Sequence, residues 1–84
     1  MPTVLRIDGL RVVIYPNDHR PPHVHVLGAG AEAVFNLIGV DGGVTLRTSQ
    51  GFSTAQLNRI ADALGTARAQ LLAQWERIHD HYRL

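Results

Sequence analysis

The chain has 84 residues, a formal net charge of +1 and no cysteine. A chain of this length builds one domain around one core, so residues 1–84 are expected to fold as a single domain. The missing thiols exclude disulfides, thiolate zinc sites and thiol nucleophiles, and the near-neutral charge does not suggest a general polyanion binder. No apolar run approaches the roughly 20 residues that cross a bilayer, and the start lacks a signal-peptide pattern. The sequence therefore predicts a cytoplasmic protein.

Residues 3–48 show the alternation and the turn signals of β-strands. Asp8-Gly9 lies between two apolar runs and supplies the positive φ values that a type I′ hairpin turn needs. Later glycine-rich stretches separate three further apolar or alternating runs. The predicted strands are, in chain order, residues 4–7, 10–15, 23–27, 31–38 and 44–47.

The third predicted strand, residues 23–27, alternates between valine and histidine. Its two valines are expected on the core face and its two histidines on the opposite face. A three-residue glycine-rich turn after this strand would set His25 opposite Ala33. His23 would then lie opposite Phe35, whose ring is a candidate stacking partner.

The last third of the chain carries a helical pattern. Ser53 and Gln56 fit a capping box, and apolar residues then recur at helical spacing to about residue 82. Gly65 either breaks this pattern into two helices or is tolerated at a cost of about 1 kcal/mol. We expect a continuous or kinked helical run over residues 54–82. The sequence thus predicts an α+β fold, an antiparallel sheet of about four to five strands covered on one face by a C-terminal helical segment.

Residues 18–26 read Asp-His-Arg-Pro-Pro-His-Val-His-Val and hold three of the five histidines. Pro21 and Pro22 keep the backbone extended and remove two N–H donors. The prolines therefore present His23 with little backbone freedom, at the point where a loop leads into a strand.

A metal site is one interpretation of these histidines. His23 and His25 project from the same strand face, about 6–7 Å apart, and His19 is the third candidate ligand from the loop. Zinc sites carry four ligands, or three plus water. No carboxylate is obviously placed beside the pair, and Asp18 is the nearest in sequence. The sequence predicts no cofactor and leaves this site as an alternative.

Proton transfer is a second interpretation, because histidine is the most common general acid or base. Cleavage of RNA through its 2′-hydroxyl needs one group that accepts a proton and one that donates it, and His23 with His25 would supply both. Arginine would stabilise the charge on the phosphate, and all eight basic residues are arginine. Arg20 lies within the motif, with Arg11 and Arg47 as more distant candidates.

A third interpretation assigns the histidines no chemistry. They would be solvated, would stack on a neighbour such as Phe35, or would belong to a binding surface. Near the end of the chain, Trp75 and His79 lie four residues apart on one helix face. His79 is then either a partly buried, hydrogen-bonded side chain or a third catalytic imidazole. Both side chains would reach the Pro-Pro-His strand if the helix packs across the sheet.

Four segments of the chain together resemble a small bacterial family catalogued as domain of unknown function 4160. They are residues 10–15, Asp18 with Pro-Pro-His-Val-His-Val at 21–26, Ala-Val-Phe at 33–35 and Trp-Glu-Arg-Ile-His at 75–79. Glycine often follows the closing histidine in that family, whereas Asp80 stands here. The resemblance implies a short cytoplasmic bacterial protein, often encoded beside another small protein. That arrangement suggests toxin–antitoxin pairs.

The first functional hypothesis is therefore a toxin–antitoxin-like component that binds a small partner protein, and also RNA, through a His/Arg groove. The alternatives are a non-enzymatic protein-interaction module, which includes a homodimer, and a His-ligated metal protein. The sequence does not decide whether the protein is an enzyme, and no membrane partner is expected. The candidate catalytic residues are His23, His25 and His79, and the candidate binding residues are Arg11, Arg20, Phe35, Arg47 and Trp75.

Overall fold

The computed structural model describes residues 3–39 and 42–81, with His81 described by its backbone alone. Its elements are five strands followed by two helices, where the sequence predicted four to five strands and then one continuous or kinked helical run. The predicted helix end near residue 82 and part of the turn before the fifth strand lie outside the described residues. The strands are β1 (Thr3–Ile7), β2 (Leu10–Val13), β3 (His23–Gly28), β4 (Ala31–Asn36) and β5 (Thr45–Gln50), and the helices are α1 (Thr54–Thr66) and α2 (Arg68–His81).

The five strands form one antiparallel sheet in the order β1-β2-β3-β4-β5. Each strand pairs with its neighbour in sequence; two-residue turns connect β1 to β2 and β3 to β4, and residues 14–22 form a longer loop between β2 and β3. The first turn has positive φ at Asp8 (49°) and Gly9 (82°), as the Asp-Gly dipeptide predicts. The predicted α+β fold with an antiparallel sheet is confirmed.

The turn between β3 and β4 is shorter than the predicted three residues. Gly28 pairs with Ala31, so only Ala29 and Gly30 lie between the strands. Both have positive φ, 52° and 73°, because a two-residue turn of this hand matches the right-handed twist of the strands. Alanine rarely adopts positive φ, and for that reason the sequence alone favoured a longer turn.

The shorter turn changes the register of the histidine strand by one residue. His25 lies opposite Val34 and His23 opposite Asn36, so the predicted pairs with Ala33 and Phe35 are wrong. A one-residue slip moves a side chain to the other face of the sheet. Phe35 therefore belongs to the core face and does not stack on His23.

The helical run is kinked at Ala67, which separates α1 from α2 with φ −95° and ψ 7°. Two hydrogen bonds continue across this residue. The Ala67 N–H donates to the Ala63 carbonyl (3.2 Å), and the Ala67 carbonyl accepts from the Leu71 N–H (2.9 Å). Gly65 lies inside α1 and is not the break. The predicted capping box is present, with Ser53 and Gln56 bonded reciprocally. Neither helix of the described residues is long and apolar enough to span a membrane.

One face of the sheet packs against both helices. The twelve core side chains come from the inner positions of the first four strands, from the residues just after β2 and β4, and from the helical stripe. Arg68 anchors the start of α2, since its Nε donates to the Leu37 carbonyl at 2.6 Å. The core consists of Ile7, Val12, Ile14, Val24, Val26, Ala33, Phe35, Leu37, Ile60, Leu64, Leu71 and Trp75.

The other face of the sheet is covered by neither helix, and we call it the open face. The strand register sets two rows of side chains across it. The first row is Arg6, Arg11, Leu27, Glu32 and Gln50. The second row is Thr3, Val13, His25, Val34 and Thr48.

The extent of helical cover over the core face is tested by Phe35 and Leu46, which are cross-strand partners and therefore lie on the same face of the sheet. Phe35 is buried, whereas Leu46 on the edge strand is 46% exposed. Phe35→Ala is expected to lower the free energy of unfolding by about 3–5 kcal/mol through cavity formation. Leu46→Ala is expected to cost less than about 1 kcal/mol, because much of that side chain stays in water. Urea denaturation measures both, and similar losses would contradict a helical layer that ends before β5.

Candidate functional site

The loop between β2 and β3, residues 14–22, is fixed at its centre. The Asp18 N–H donates to the Tyr15 carbonyl at 3.1 Å. The Asp18 carbonyl accepts from Nε2 of His79 on α2 at 2.9 Å. The Pro22 carbonyl accepts from the Leu37 N–H at 2.9 Å, which ties the end of the loop to the sheet. We call this segment the Asp18 loop; it connects the helical layer to the histidine strand.

The Asp18 carboxylate converges with both histidines of the third strand. Its Oδ2 lies 3.0 Å from Nε2 of His25 and 3.2 Å from Nε2 of His23. The two imidazole rings meet edge to face, with centroids 5.3 Å apart. One carboxylate oxygen therefore serves two ring nitrogens, and the three side chains form a compact group that we call the Asp-His-His cluster.

Burial distinguishes the two imidazoles. The His23 side chain is 6% exposed, whereas His25 and Asp18 are 19% and 18% exposed. His25 packs edge to face against Tyr15 at 4.5 Å between ring centroids. Only His25 and Asp18 therefore offer a partly open path from solvent to the cluster.

The second ring nitrogen of His23 has a defined partner. Nδ1 lies 2.8 Å from the Pro21 carbonyl oxygen. Since a carbonyl only accepts, Nδ1 carries the proton in this contact, and in the neutral ring Nε2 holds the lone pair. Nε2 faces a carboxylate oxygen of Asp18 at 3.2 Å, a contact that either a proton or a metal ion on Nε2 would satisfy.

This geometry does not present two free imidazoles to a substrate. His23 is buried, and both of its nitrogens already face protein oxygens. His25 is the more accessible ring, but it shares Asp18 with His23. The arrangement therefore suits a shared cation better than an acid–base pair.

His79 and Trp75 lie on the helical side of the Asp18 loop. Their rings stack with centroids 3.4 Å apart and an angle of 14°. Nδ1 of His79 faces the Trp75 carbonyl at 2.8 Å, while Nε2 faces the Asp18 carbonyl. Both ring nitrogens therefore face backbone carbonyl oxygens while the ring stacks on the indole. His79 thus supports the loop that carries Asp18, and among the described residues it forms no hydrogen bond with His23 or His25.

Arg20 is held on the same tryptophan. Its guanidinium carbon is 5.1 Å from the Trp75 ring centroid, and its Nη2 contacts both carboxylate oxygens of Glu76 at 2.9 and 3.2 Å. Glu76 compensates the charge of Arg20. The arginine inside the motif therefore ties the loop to α2 and is poorly placed to bind a free anion.

The two more distant arginines lie on the open face. The strand register puts Arg11 on this face, because it lies two positions from Val13 along β2. Its Nε donates to the Thr3 hydroxyl at 3.3 Å. Arg47 donates from Nε to the Asn36 side-chain oxygen at 3.0 Å, beside His23. The two guanidinium groups therefore flank the Asp-His-His cluster from opposite sides.

A concavity of about 350 Å³ lies on β4 and β5. Its lining includes Val34, the strand partner of His25, and Thr48 in the same row, but none of the three clustered side chains. A wider groove of about 680 Å³ lies between β1 and α1, and none of the clustered histidines lines it. Of these two, only the smaller concavity is lined by a strand partner of a clustered histidine.

Three residues contribute to this region in ways that sequence reasoning missed. Asp18 supplies the carboxylate, Arg6 lies directly opposite Arg11, and Glu76 neutralises Arg20. The available signal was that Asp18 lies close to the motif in sequence. Its carboxylate reaches the two histidines because the loop folds back over the strand, and this the sequence did not show. His19, the predicted third ligand, is exposed and is not among the clustered groups.

The model of the family described as Domain of unknown function (DUF4160) matches residues 9–76. The chain belongs to this family. The matched region contains the Asp-His-His cluster, both flanking arginines and Trp75. No match was found among curated proteins or among solved structures.

The supporting role of His79 predicts a specific loss of stability. His79→Ala removes the bond to the Asp18 carbonyl and the stacked ring, so we expect a loss of about 1–3 kcal/mol in the free energy of unfolding. The Asp18 amide should also exchange faster. Arg20→Ala removes a half-exposed ion pair over the same tryptophan and should cost at most about 1 kcal/mol. Urea denaturation and hydrogen exchange measure these effects, and equal losses would contradict the assigned role.

Proposed function

We propose that the protein is a toxin–antitoxin-like component that binds RNA across the open face of its sheet and a small partner protein at the edge of that sheet. The observation that carries the RNA part is the placement of Arg11 and Arg47 on either side of the Asp-His-His cluster. Family membership supports the partner part, because the resemblance implies a small protein encoded nearby.

The arginine arrangement at β1 and β2 favours an anionic ligand. Arg6 and Arg11 lie directly opposite each other on the open face. Like charges at such a pair destabilise a sheet, and a phosphate bound between them would turn this repulsion into attraction. Arginine is also the residue best suited to bidentate phosphate contacts.

RNA fits this surface better than a small phosphate compound. Arg11 on β2 and Arg47 on β5 are three inter-strand spacings apart, with β3 and β4 between them, and neighbouring strands lie about 4.7–4.9 Å apart. A ligand that contacts both needs several phosphates along an extended backbone. The concavity beside Val34 lies on β4 and β5, towards the Arg47 end of this path, and would accept a base.

The placement of Arg11 and Arg47 predicts that RNA binding depends on where the positive charges lie and not only on their number. Arg11→Gln/Arg47→Gln should weaken binding of a labelled single-stranded RNA by at least about tenfold. It should also flatten the log–log salt dependence by about 0.7 for each lost phosphate contact. Arg59→Gln/Arg77→Gln removes the same charge from exposed positions of the helices and should leave both values nearly unchanged. Fluorescence anisotropy across a salt series measures both, and equal effects in the two double variants would reject a specific surface.

One observation supports β5 as the edge at which the partner protein binds. This strand pairs only with β4, so its other edge is unpaired among the described residues. Leu46 and Ile38 are 46% and 52% exposed nearby. An edge with free backbone groups and adjacent apolar side chains is suited to strand addition by another protein.

The partner surface predicts a strand-specific loss of association. Leu46→Glu places a charge in the apolar part of the edge. It should abolish the complex with the small protein encoded nearby, or the dimer of this chain. Gln50→Glu adds the same charge to the same strand away from the apolar side chains and should preserve it. Size-exclusion chromatography with light scattering separates the two species. A protein that stays monomeric in every mixture would overturn this part of the proposal.

A further inference from the structure

We infer that Asp18, His23 and His25 form a binding site for one divalent first-row transition-metal ion. The three side chains supply two imidazole nitrogens and one carboxylate oxygen. Their ligand atoms all lie within 4.8 Å of one another. The inference concerns the cluster alone and holds whether or not RNA binds the open face.

The spacing of the ligand atoms suits a metal. Oδ2 of Asp18 is 3.0 and 3.2 Å from the two Nε2 atoms. Zinc–nitrogen and zinc–oxygen bonds of about 2.0–2.1 Å put neighbouring ligand atoms about 2.9–3.4 Å apart at octahedral or tetrahedral angles. Two edges of the coordination polyhedron are therefore already formed.

The hydrogen bond to the Pro21 carbonyl prepares His23 for coordination. Metal-bound histidines commonly donate their other ring N–H to a carbonyl or carboxylate, which fixes the tautomer and the ring orientation. His23 shows this pattern, with Nδ1 2.8 Å from the carbonyl oxygen and Nε2 directed at Asp18. A bound cation would also resolve the contact between the Nε2 lone pair and the carboxylate.

The backbone holds the carboxylate in place. Asp18 is fixed on one side by the Tyr15 carbonyl and on the other by His79. The two rings project from one strand, whose register is set by pairing on both sides. Ligands on a rigid strand and a pinned loop lose little freedom on binding, so the site is organised in advance.

The ligand set selects the class of metal. Two imidazoles with one carboxylate suit zinc or iron(II), whereas magnesium and calcium prefer all-oxygen sites. Three protein ligands leave at least one coordination position for water or substrate. The partial exposure of His25 and Asp18 directs that position towards solvent, so the site has the open character of catalytic centres and not the closed character of structural ones.

The test is titration of tag-free, full-length protein with Zn²⁺ in a calorimeter, followed by the visible absorption of the Co²⁺ complex. We expect one ion per chain. Because second-shell partners alone are worth about 10–100-fold, Asp18→Asn and His25→Ala should each weaken Zn²⁺ binding by about 100-fold or more and abolish the Co²⁺ absorption.

His19→Ala is the matched control, since His19 is an exposed neighbour of Asp18 outside the cluster. It should bind Zn²⁺ as the parent protein does. Circular dichroism of each variant confirms that it folds, and the partly exposed His25 is preferred to the buried His23 for that reason. Absence of Zn²⁺ and Co²⁺ binding in the parent protein would overturn the inference. Equal losses in His19→Ala and His25→Ala would overturn it as well. Loss of RNA binding in the arginine variants bears only on the proposed function.

Discussion

Oδ2 of Asp18 faces two imidazole nitrogens at once, at 3.0 and 3.2 Å, and this convergence determines how the chain must run around it. The carboxylate reaches both rings only because its own backbone is pinned between the Tyr15 carbonyl and His79. His79 is in turn oriented by its stacking on Trp75, which belongs to the hydrophobic core. A short path of contacts therefore links the packing of α2 to the position of the Asp18 carboxylate.

The single helical layer imposes a second constraint. The helices α1 and α2 cover one face of the sheet. The opposite face keeps polar and charged side chains that a second layer would have excluded, among them Arg11, Arg47 and His25. β5 has an unpaired edge among the described residues. Both the proposed RNA surface and the proposed partner surface lie on parts of the sheet that the two helices leave uncovered.

Much of the fold was readable from the sequence because its signals are local. Asp8-Gly9 set the first hairpin, Ser53 and Gln56 set the start of α1, and apolar periodicity set the helical layer. The register of the histidine strand was not readable, because it depends on an alanine at positive φ. The candidate site was predicted in part. The two histidines on one strand face were expected from the sequence, whereas the contribution of Asp18 depends on a loop that folds back over the sheet. Non-local contacts of this kind leave no periodic trace in a sequence.

The central claim is that the Pro21 carbonyl and Asp18 fix His23 as a ligand that presents Nε2. Long-range ¹H–¹⁵N NMR correlations of the histidine rings report directly which ring nitrogen carries a proton. The account predicts a protonated Nδ1 in His23, and on addition of Zn²⁺ a shift of Nε2 in both His23 and His25 while His19 stays unchanged. A proton on Nε2 of His23 beside a bare Nδ1, or Zn²⁺ shifts confined to His19, would contradict it.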